Sequence, residues 1–213
     1  MSAWTDAIMV VLILTNLALL GTSRLLSCIR ILALQGIVLG LLPMAAGESL
    51  LSGRALFLTP AAIGLKGIVF PMLLARALRR AEVPREVEPF VGYVWSVLAG
   101  LAALAASVWL GRSLPTPLGA SSLVAPVALF MILTGLFLIV SRKKALTQVL
   151  GFVVMENGTY AFGVVMLRHV PLLVELGTLL DAFVAVFVMG IAIFHISREF
   201  DHMDAHKLDT LKG

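Results

Sequence analysis

The chain has 213 residues, of which 60% are hydrophobic and only 13% are charged, and its mean hydropathy is +1.04. Soluble domains carry about 25% charged residues, so this composition excludes an ordinary soluble protein, and the low charge content also excludes disorder. The formal net charge of +4 comes from basic residues gathered between apolar runs, which is typical of a membrane protein rather than of a nucleic-acid-binding protein.

Seven apolar segments are long enough to cross a bilayer, which takes about 20 residues of helix. We therefore predict an all-α integral membrane protein with about seven transmembrane helices. In chain order the segments are Ala3–Thr22, Leu25–Ala45, Ala55–Leu78, Val91–Leu110, Leu123–Val140, Ala145–Leu167 and Pro171–Ile196.

The basic residues are divided unevenly between the two sides of such a bundle. Of the sixteen Lys and Arg residues, twelve fall on one side and three on the other, and Lys66 lies within a helix. Because loops rich in Lys and Arg remain in the cytoplasm, we expect the N-terminus outside and the C-terminus in the cytoplasm.

A weak internal repeat relates the first three predicted helices to the last three. Lys66 in the first half corresponds in position to Asp181 in the second half, and Gln35 corresponds to Glu156. We predict a parallel duplication, and chance similarity between apolar helices is the alternative. The predicted units are a first three-helix repeat (1–80), a linker with the fourth transmembrane helix (81–122), a second three-helix repeat (123–197) and a cytoplasmic tail (198–213).

Lys66 lies in the middle of the third predicted helix, about 16 Å from either end at about 1.5 Å of rise per residue. Placing a Lys at this depth costs about 2.5–3.5 kcal/mol on insertion scales, so we expect its side chain to face the protein interior, near a partner or water. An ion-relay role and a purely structural ion pair between two helices both fit this position.

Glu156 lies in the middle of the sixth predicted helix, within the sequence Met155-Glu156-Asn157-Gly158. Asn and Gly weaken a helix, but they allow close packing and hydrogen bonding around the carboxyl group. A carboxyl group at this depth can take up and release a proton near neutral pH. We therefore predict that Glu156 handles protons.

The seventh predicted helix carries two carboxylates, Glu175 near its start and Asp181 near its centre. Their spacing of six residues turns them about 120° apart on a helix, so they cannot both face one small site. Asp181 is the better candidate for an ion relay, and Glu175 is the second candidate because it could simply reach the membrane interface.

Enzymatic motifs are missing from the sequence. There is a single cysteine, Cys28, and no nucleophile triad, phosphate-binding loop, dinucleotide fingerprint or metal-ligand cluster is recognisable. We expect no catalytic site, no cofactor and no metal in this chain.

Several sequence runs resemble the hydrogenase-4 component E family. In the second half they are Gly151–Gly158, Pro171–Gly177 and Leu180–Met189, and elsewhere they are Leu65–Pro71 and the closing Leu211-Lys212-Gly213. That family supplies membrane subunits of group 4 NiFe-hydrogenase and formate hydrogenlyase-type complexes. Its second half is similar to the small K (4L) subunit of respiratory complex I, which has three helices and two intramembrane carboxylates.

The resemblance implies that Glu156 and Asp181 stand at those two carboxylate positions, with Asp in place of Glu at the second. In the first half Gln35 and Lys66 stand where a carboxylate pair would be expected, which puts a copied proton path there in doubt.

The function implied by the resemblance is that of a non-catalytic membrane-arm subunit of a complex I-related hydrogenase complex, an oxidoreductase. Glu156, Asp181 and Lys66 would be relay sites in redox-coupled translocation of protons or sodium. The implied partners are antiporter-like and quinone-site-like membrane subunits, peripheral NiFe-hydrogenase subunits and the lipid bilayer, with no nucleic acid. The implied location is a bacterial or archaeal cytoplasmic (inner) membrane. Two alternatives are a subunit of a multi-component cation/proton antiporter and a purely structural membrane scaffold.

Overall fold

The computed structural model describes residues 2–45, 59–60, 63–80, 90–114 and 121–166. In the helices of these ranges apolar residues predominate, and a helix satisfies its backbone hydrogen bonds within itself, as a bilayer requires. The helices are α1 (Ser2–Gly21), α2 (Leu25–Gly40), α3 (Leu42–Ala45), a π-helix termed π1 (Ile63–Val69), α4 (Phe70–Arg80), α5 (Tyr93–Gly111), α6 (Val124–Ser141) and α7 (Ala145–Met166).

Five helical segments in the described ranges are long and apolar enough to cross a membrane. They are Ala3–Gly21, Leu25–Ala45 (α2 with α3), Tyr93–Gly111, Val124–Ser141 and Leu146–Met166. The all-helical prediction is confirmed for the described residues, but the count of seven spans is not. The third predicted span is covered only in part, as π1 and α4, and the seventh, Pro171–Ile196, lies outside the described residues.

Hydrogen bonds between distant residues show which helix ends lie together. The Thr5 hydroxyl donates to the carbonyl of Ala45 at 3.0 Å, and the Ser121 hydroxyl donates to the carboxylate of Asp6, so α1 and α6 begin at the same end. At the other end the backbone N–H of Phe90 donates to the carbonyl of Ser141 at 2.8 Å. The basic side chains Arg24, Arg142, Lys143 and Lys144 belong to this second end, which we call the basic end, and the first is the opposite end.

Glycines allow the backbones of α6 and α7 to touch. A Cβ on Gly135 would lie 2.5 Å from the carbonyl oxygen of Gly151, and one on Gly158 would lie 2.7 Å from that of Ala128. Both distances are shorter than van der Waals contact, so only glycine fits at these positions. Close approach of this kind is the usual way in which membrane helices gain packing energy without a hydrophobic driving force.

The buried apolar side chains form two separate clusters, one toward each end of the bundle. The basic-end cluster includes Leu19, Leu32, Phe70, Leu138 and Val154. The opposite-end cluster includes Leu12, Leu39, Met131, Tyr160 and Ala161. Helices α1, α2, α6 and α7 contribute to both clusters, so each passes from one cluster to the other near mid-height of the bundle.

Candidate functional site

A layer of polar side chains separates the two apolar clusters. On α1, α2, α6 and α7 the polar residues stand between a member of one cluster and a member of the other, as Gln35 does between Leu32 and Leu39. We call this set the polar layer, and its members are Thr15 and Asn16 of α1, Gln35 of α2, Lys66 of π1, Thr134 of α6, and Glu156 and Asn157 of α7.

Lys66 and Glu156 form a salt bridge at the centre of the polar layer. The Lys66 Nζ contacts Oε1 of Glu156, and Nζ also lies 4.8 Å from the centroid of the Tyr160 ring. Lys66 is 1% exposed, and the side chain of Glu156 is 12% exposed. Two buried opposite charges in direct contact compensate each other, and the aromatic face of Tyr160 adds a favourable cation–π contact.

Close backbone packing places Lys66 in this position. A Cβ on Gly36 of α2 would lie 2.6 Å from the backbone nitrogen of Gly67, so the backbones of α2 and π1 are in contact. The sequence predicts a continuous α-helix here, but the structure has a π-helical turn instead. Such turns are rare and often occur at functional sites. Gly64, Gly67 and Pro71 weaken the α-helical alternative here.

Gln35 extends the polar contacts from the salt bridge toward α1. Its Nε2 donates to the Thr15 hydroxyl at 3.1 Å, and the neighbouring Asn16 donates to the carbonyl of Leu12 at 2.7 Å. The structure thus gives Gln35 and Asn16 a common place in the polar layer.

The structure brings two of the four predicted relay residues together, Lys66 and Glu156, which are 90 residues apart in the chain. The other two, Asp181 and Glu175, lie outside the described residues. Tyr160 was missed by sequence reasoning. Its signal is the spacing of four residues from Glu156, which puts both on one face of α7.

Arg142 at the basic end was also missed, because the sequence suggests an ordinary loop cation. It is 1% exposed, its Nη2 donates to the carbonyl of Leu20 at 3.2 Å, and its guanidinium carbon lies 5.5 Å from the Tyr93 ring centroid. Burial lowers the pKa of the Arg142 guanidinium, and Tyr93 and Cys28 act in the opposite direction. The guanidinium remains charged near neutral pH and holds the end of α1 against α6.

Chemically, the polar layer offers one exchangeable carboxyl group, one ammonium group and several amides and hydroxyls in an apolar surrounding. Among the described residues no three His, Cys, Asp or Glu side chains come together as a metal site requires. A buried pair of opposite charges in a membrane protein is found in ion pathways and also as a structural contact between helices.

Comparison with known proteins gives the chain its family. Residues 123–213 match the family of NADH-ubiquinone/plastoquinone oxidoreductase chain 4L. The chain is 32% identical to hydrogenase-4 component E of Escherichia coli K12 over 173 residues, which are 79% of this chain and 76% of the relative. The chain belongs to the hydrogenase-4 component E family.

A second relative has the same level of identity. An uncharacterized protein of Mycobacterium tuberculosis is 32% identical over 204 residues, which are 94% of this chain and 92% of that protein. No solved structure matches the chain. The apolar helices and the membership of this family make the chain a multi-pass membrane protein. The predicted family and the chain 4L likeness of the second half are both confirmed.

Proposed function

We propose that this chain is a membrane-arm subunit of a complex I-related hydrogenase complex, where its Lys66–Glu156 pair takes part in redox-coupled translocation of protons or sodium. The names of its relatives, hydrogenase-4 component E and oxidoreductase chain 4L, support the membership of such a complex. The observation that carries the relay is the buried salt bridge at mid-height of the bundle.

A buried ion pair can store and release a proton because its two partners depend on each other. Protonation of Glu156 removes the charge that compensates Lys66, and the ammonium group must then find another partner or lose its own proton. A change of charge in a neighbouring subunit therefore shifts the proton between the pair and its surroundings. Opposite charges within a few ångströms alter a pKa by about 1–3 units, which is enough to load and unload one site.

The remaining parts of the path are proposed from the sequence. Asp181 and Glu175 would continue the relay through the seventh predicted span. The partners would be antiporter-like and quinone-site-like membrane subunits and peripheral NiFe-hydrogenase subunits, in a bacterial or archaeal cytoplasmic membrane. The chain would have no catalytic role of its own.

The experiment is proton uptake into sealed vesicles that contain the whole complex with Glu156→Gln, beside measurements of electron transfer and of intact complex on a native gel. We expect electron transfer under uncoupled conditions to be near normal and coupled uptake to fall at least tenfold. Asp6→Asn is the matched control, since this carboxylate bonds Ser121 at the opposite end, and it should leave uptake unchanged.

A second variant covers the possibility that Glu156→Gln prevents assembly by leaving Lys66 buried without its counter-ion, at a cost of about 3–5 kcal/mol. Replacing both partners, Lys66→Met with Glu156→Gln, removes both charges and should restore assembly but not uptake. Full uptake in either variant would reduce the pair to a structural anchor and contradict the proposal.

A further inference from the structure

The exposed side of α2 combines apolar side chains with arginine. Its exposed residues recur at intervals of three or four, so they lie on one side of the helix. They are Leu26, Arg30, Leu34, Ile37 and Leu41, and Arg24 is exposed just before the helix begins. From Arg30 to Leu41 this stripe extends about 16 Å, at about 1.5 Å per residue, which is close to half the thickness of the hydrocarbon core of a bilayer.

The neighbouring π1 and α4 have the same arrangement in the opposite chain direction. Their exposed residues are Ile68, Val69, Met72, Arg76 and Arg79. Gly40 of α2 approaches Ile63 at the start of π1, whereas Leu25 and Leu78 line one small crevice at the basic end, so the two segments are antiparallel. We call the exposed sides of these neighbouring helices the α2–α4 face. On both helices the arginines lie toward the basic end and the apolar side chains toward mid-height.

The arginines of the α2–α4 face have no carboxylate partner in the part of the chain that the structure describes. Only two carboxylates occur there: Glu156 contacts Lys66, and Asp6 bonds Ser121 at the opposite end. Four positive charges in one region repel one another, and a ligand with negative charge relieves this repulsion.

The depth of the arginines favours a lipid over a soluble ligand. Arg30 and Arg76 lie inside their helices, about 6–8 Å from the helix ends at about 1.5 Å per residue. A soluble acidic segment could reach Arg24 and Arg79, but it would have to enter the apolar layer to meet Arg30. A phospholipid carries its phosphate at the edge of this layer and its acyl chains within it. Arginine also binds phosphate by two parallel hydrogen bonds.

We propose that the α2–α4 face binds an anionic phospholipid. Its phosphate contacts Arg30 and Arg76, and its acyl chains lie along the exposed apolar residues below them, such as Leu34 and Met72. A zwitterionic lipid brings a cationic group of its own, which the arginines repel, so the site prefers a headgroup with net negative charge. The proposal is independent of the ion relay, because none of these residues belongs to the polar layer.

The preference for anionic lipid is measured by native mass spectrometry of the purified full chain in an uncharged detergent, titrated with phosphatidylglycerol or phosphatidylcholine. We expect phosphatidylglycerol to bind at least tenfold more tightly. Arg30→Gln with Arg76→Gln should abolish this preference, since each basic residue near an anionic surface favours binding about fivefold. Arg112→Gln is the matched control, because Arg112 is exposed at the opposite end, and it should leave the preference unchanged. Each single variant should lower the preference severalfold, which provides the test if the double variant does not fold. Equal binding of the two lipids, or a preference that survives loss of both arginines, would overturn the proposal.

Two further measurements distinguish a lipid from other anions. Glycerophosphoglycerol, the headgroup without acyl chains, should displace phosphatidylglycerol only at concentrations at least a hundredfold higher, and equal competition would assign the site to a soluble phosphate compound instead. In native membranes that contain the whole complex, a benzoylphenylalanine photo-crosslinker in place of the exposed Met72 should form adducts with lipid. A cross-link to another subunit would make the α2–α4 face a protein interface and contradict the proposal.

Discussion

Two cations are buried among the described residues, Lys66 and Arg142, and they contact different kinds of partner. Lys66 meets the carboxylate of Glu156, so the two opposite charges compensate each other. Among the described residues Arg142 contacts the Leu20 carbonyl at the end of α1 and the Tyr93 ring. A guanidinium always keeps its proton and suits a structural contact, whereas the Lys66–Glu156 pair is the relay that we propose.

We predict that Arg142→Gln destabilises the protein by about 2–3 kcal/mol. The carbonyl of Leu20 loses a charged donor, and the shorter Gln side chain does not fill the buried space that Arg142 occupies. Lys143→Gln removes the same charge from the same end, but Lys143 is exposed, so its effect should stay within about 0.5 kcal/mol. Thermal unfolding of the purified chain in detergent measures both. Equal losses for the two variants would mean that net charge at the basic end, rather than the buried contact, matters.

At this scale the sequence indicated Lys66 and Glu156 because a charge within an apolar run needs no knowledge of packing to stand out. Their pairing could not be predicted, because it depends on how α2, π1 and α7 face one another. The roles of Tyr160 and Arg142 could not be predicted for the same reason. A tyrosine within a helix and an arginine after a helix are common, and only their neighbours in the fold distinguish them.

At the scale of elements, hydropathy located four helices to within two residues at each end, as for Val124–Ser141 against the predicted Leu123–Val140. It failed on the third segment, where π1 replaces part of a predicted α-helix. Hydropathy reports how long an apolar run is and carries no information on hydrogen-bond register. The π-turn lies where Gly36 of α2 contacts the backbone at Lys66 and Gly67, and a tertiary contact of this kind cannot be seen in hydropathy.

The packing of α6 on α7 leads to a prediction about Gly135. A Cβ at this position would overlap the Gly151 carbonyl oxygen at 2.5 Å, and backbone cannot yield as a flexible side chain can. We expect Gly135→Ala to cost about 1–3 kcal/mol through overpacking. The control is Gly92→Ala, where no atom lies within 4 Å of an added Cβ. Unfolding midpoints in detergent compare the two, and a Gly135→Ala protein as stable as the control would show that α6 and α7 can separate without cost.

At the scale of the whole molecule, the polar layer separates the basic-end cluster from the opposite-end cluster in the described part of the bundle. Residues of both predicted repeats contribute, with Gln35 and Lys66 from the first and Glu156 from the second. The parallel duplication itself stays a prediction, since its seventh helix lies outside the described residues. The Lys66–Glu156 ion pair would couple the two predicted repeats, so that a change of charge in one repeat would alter the electrostatic environment of the other.

The orientation of the bundle in the membrane is the last prediction, and it follows from charge. Arg24, Arg142, Lys143 and Lys144 gather at the basic end, and the positive-inside rule places such an end in the cytoplasm. Ser23 and Ser122 are exposed at the basic and opposite ends, respectively, and each can be replaced by cysteine in a Cys28→Ala background. A maleimide that cannot cross membranes should label Ser122→Cys in intact cells and Ser23→Cys only after permeabilisation. The reverse pattern would invert the orientation, and labelling of both from outside would contradict the finding that α1 and α6 begin at the same end.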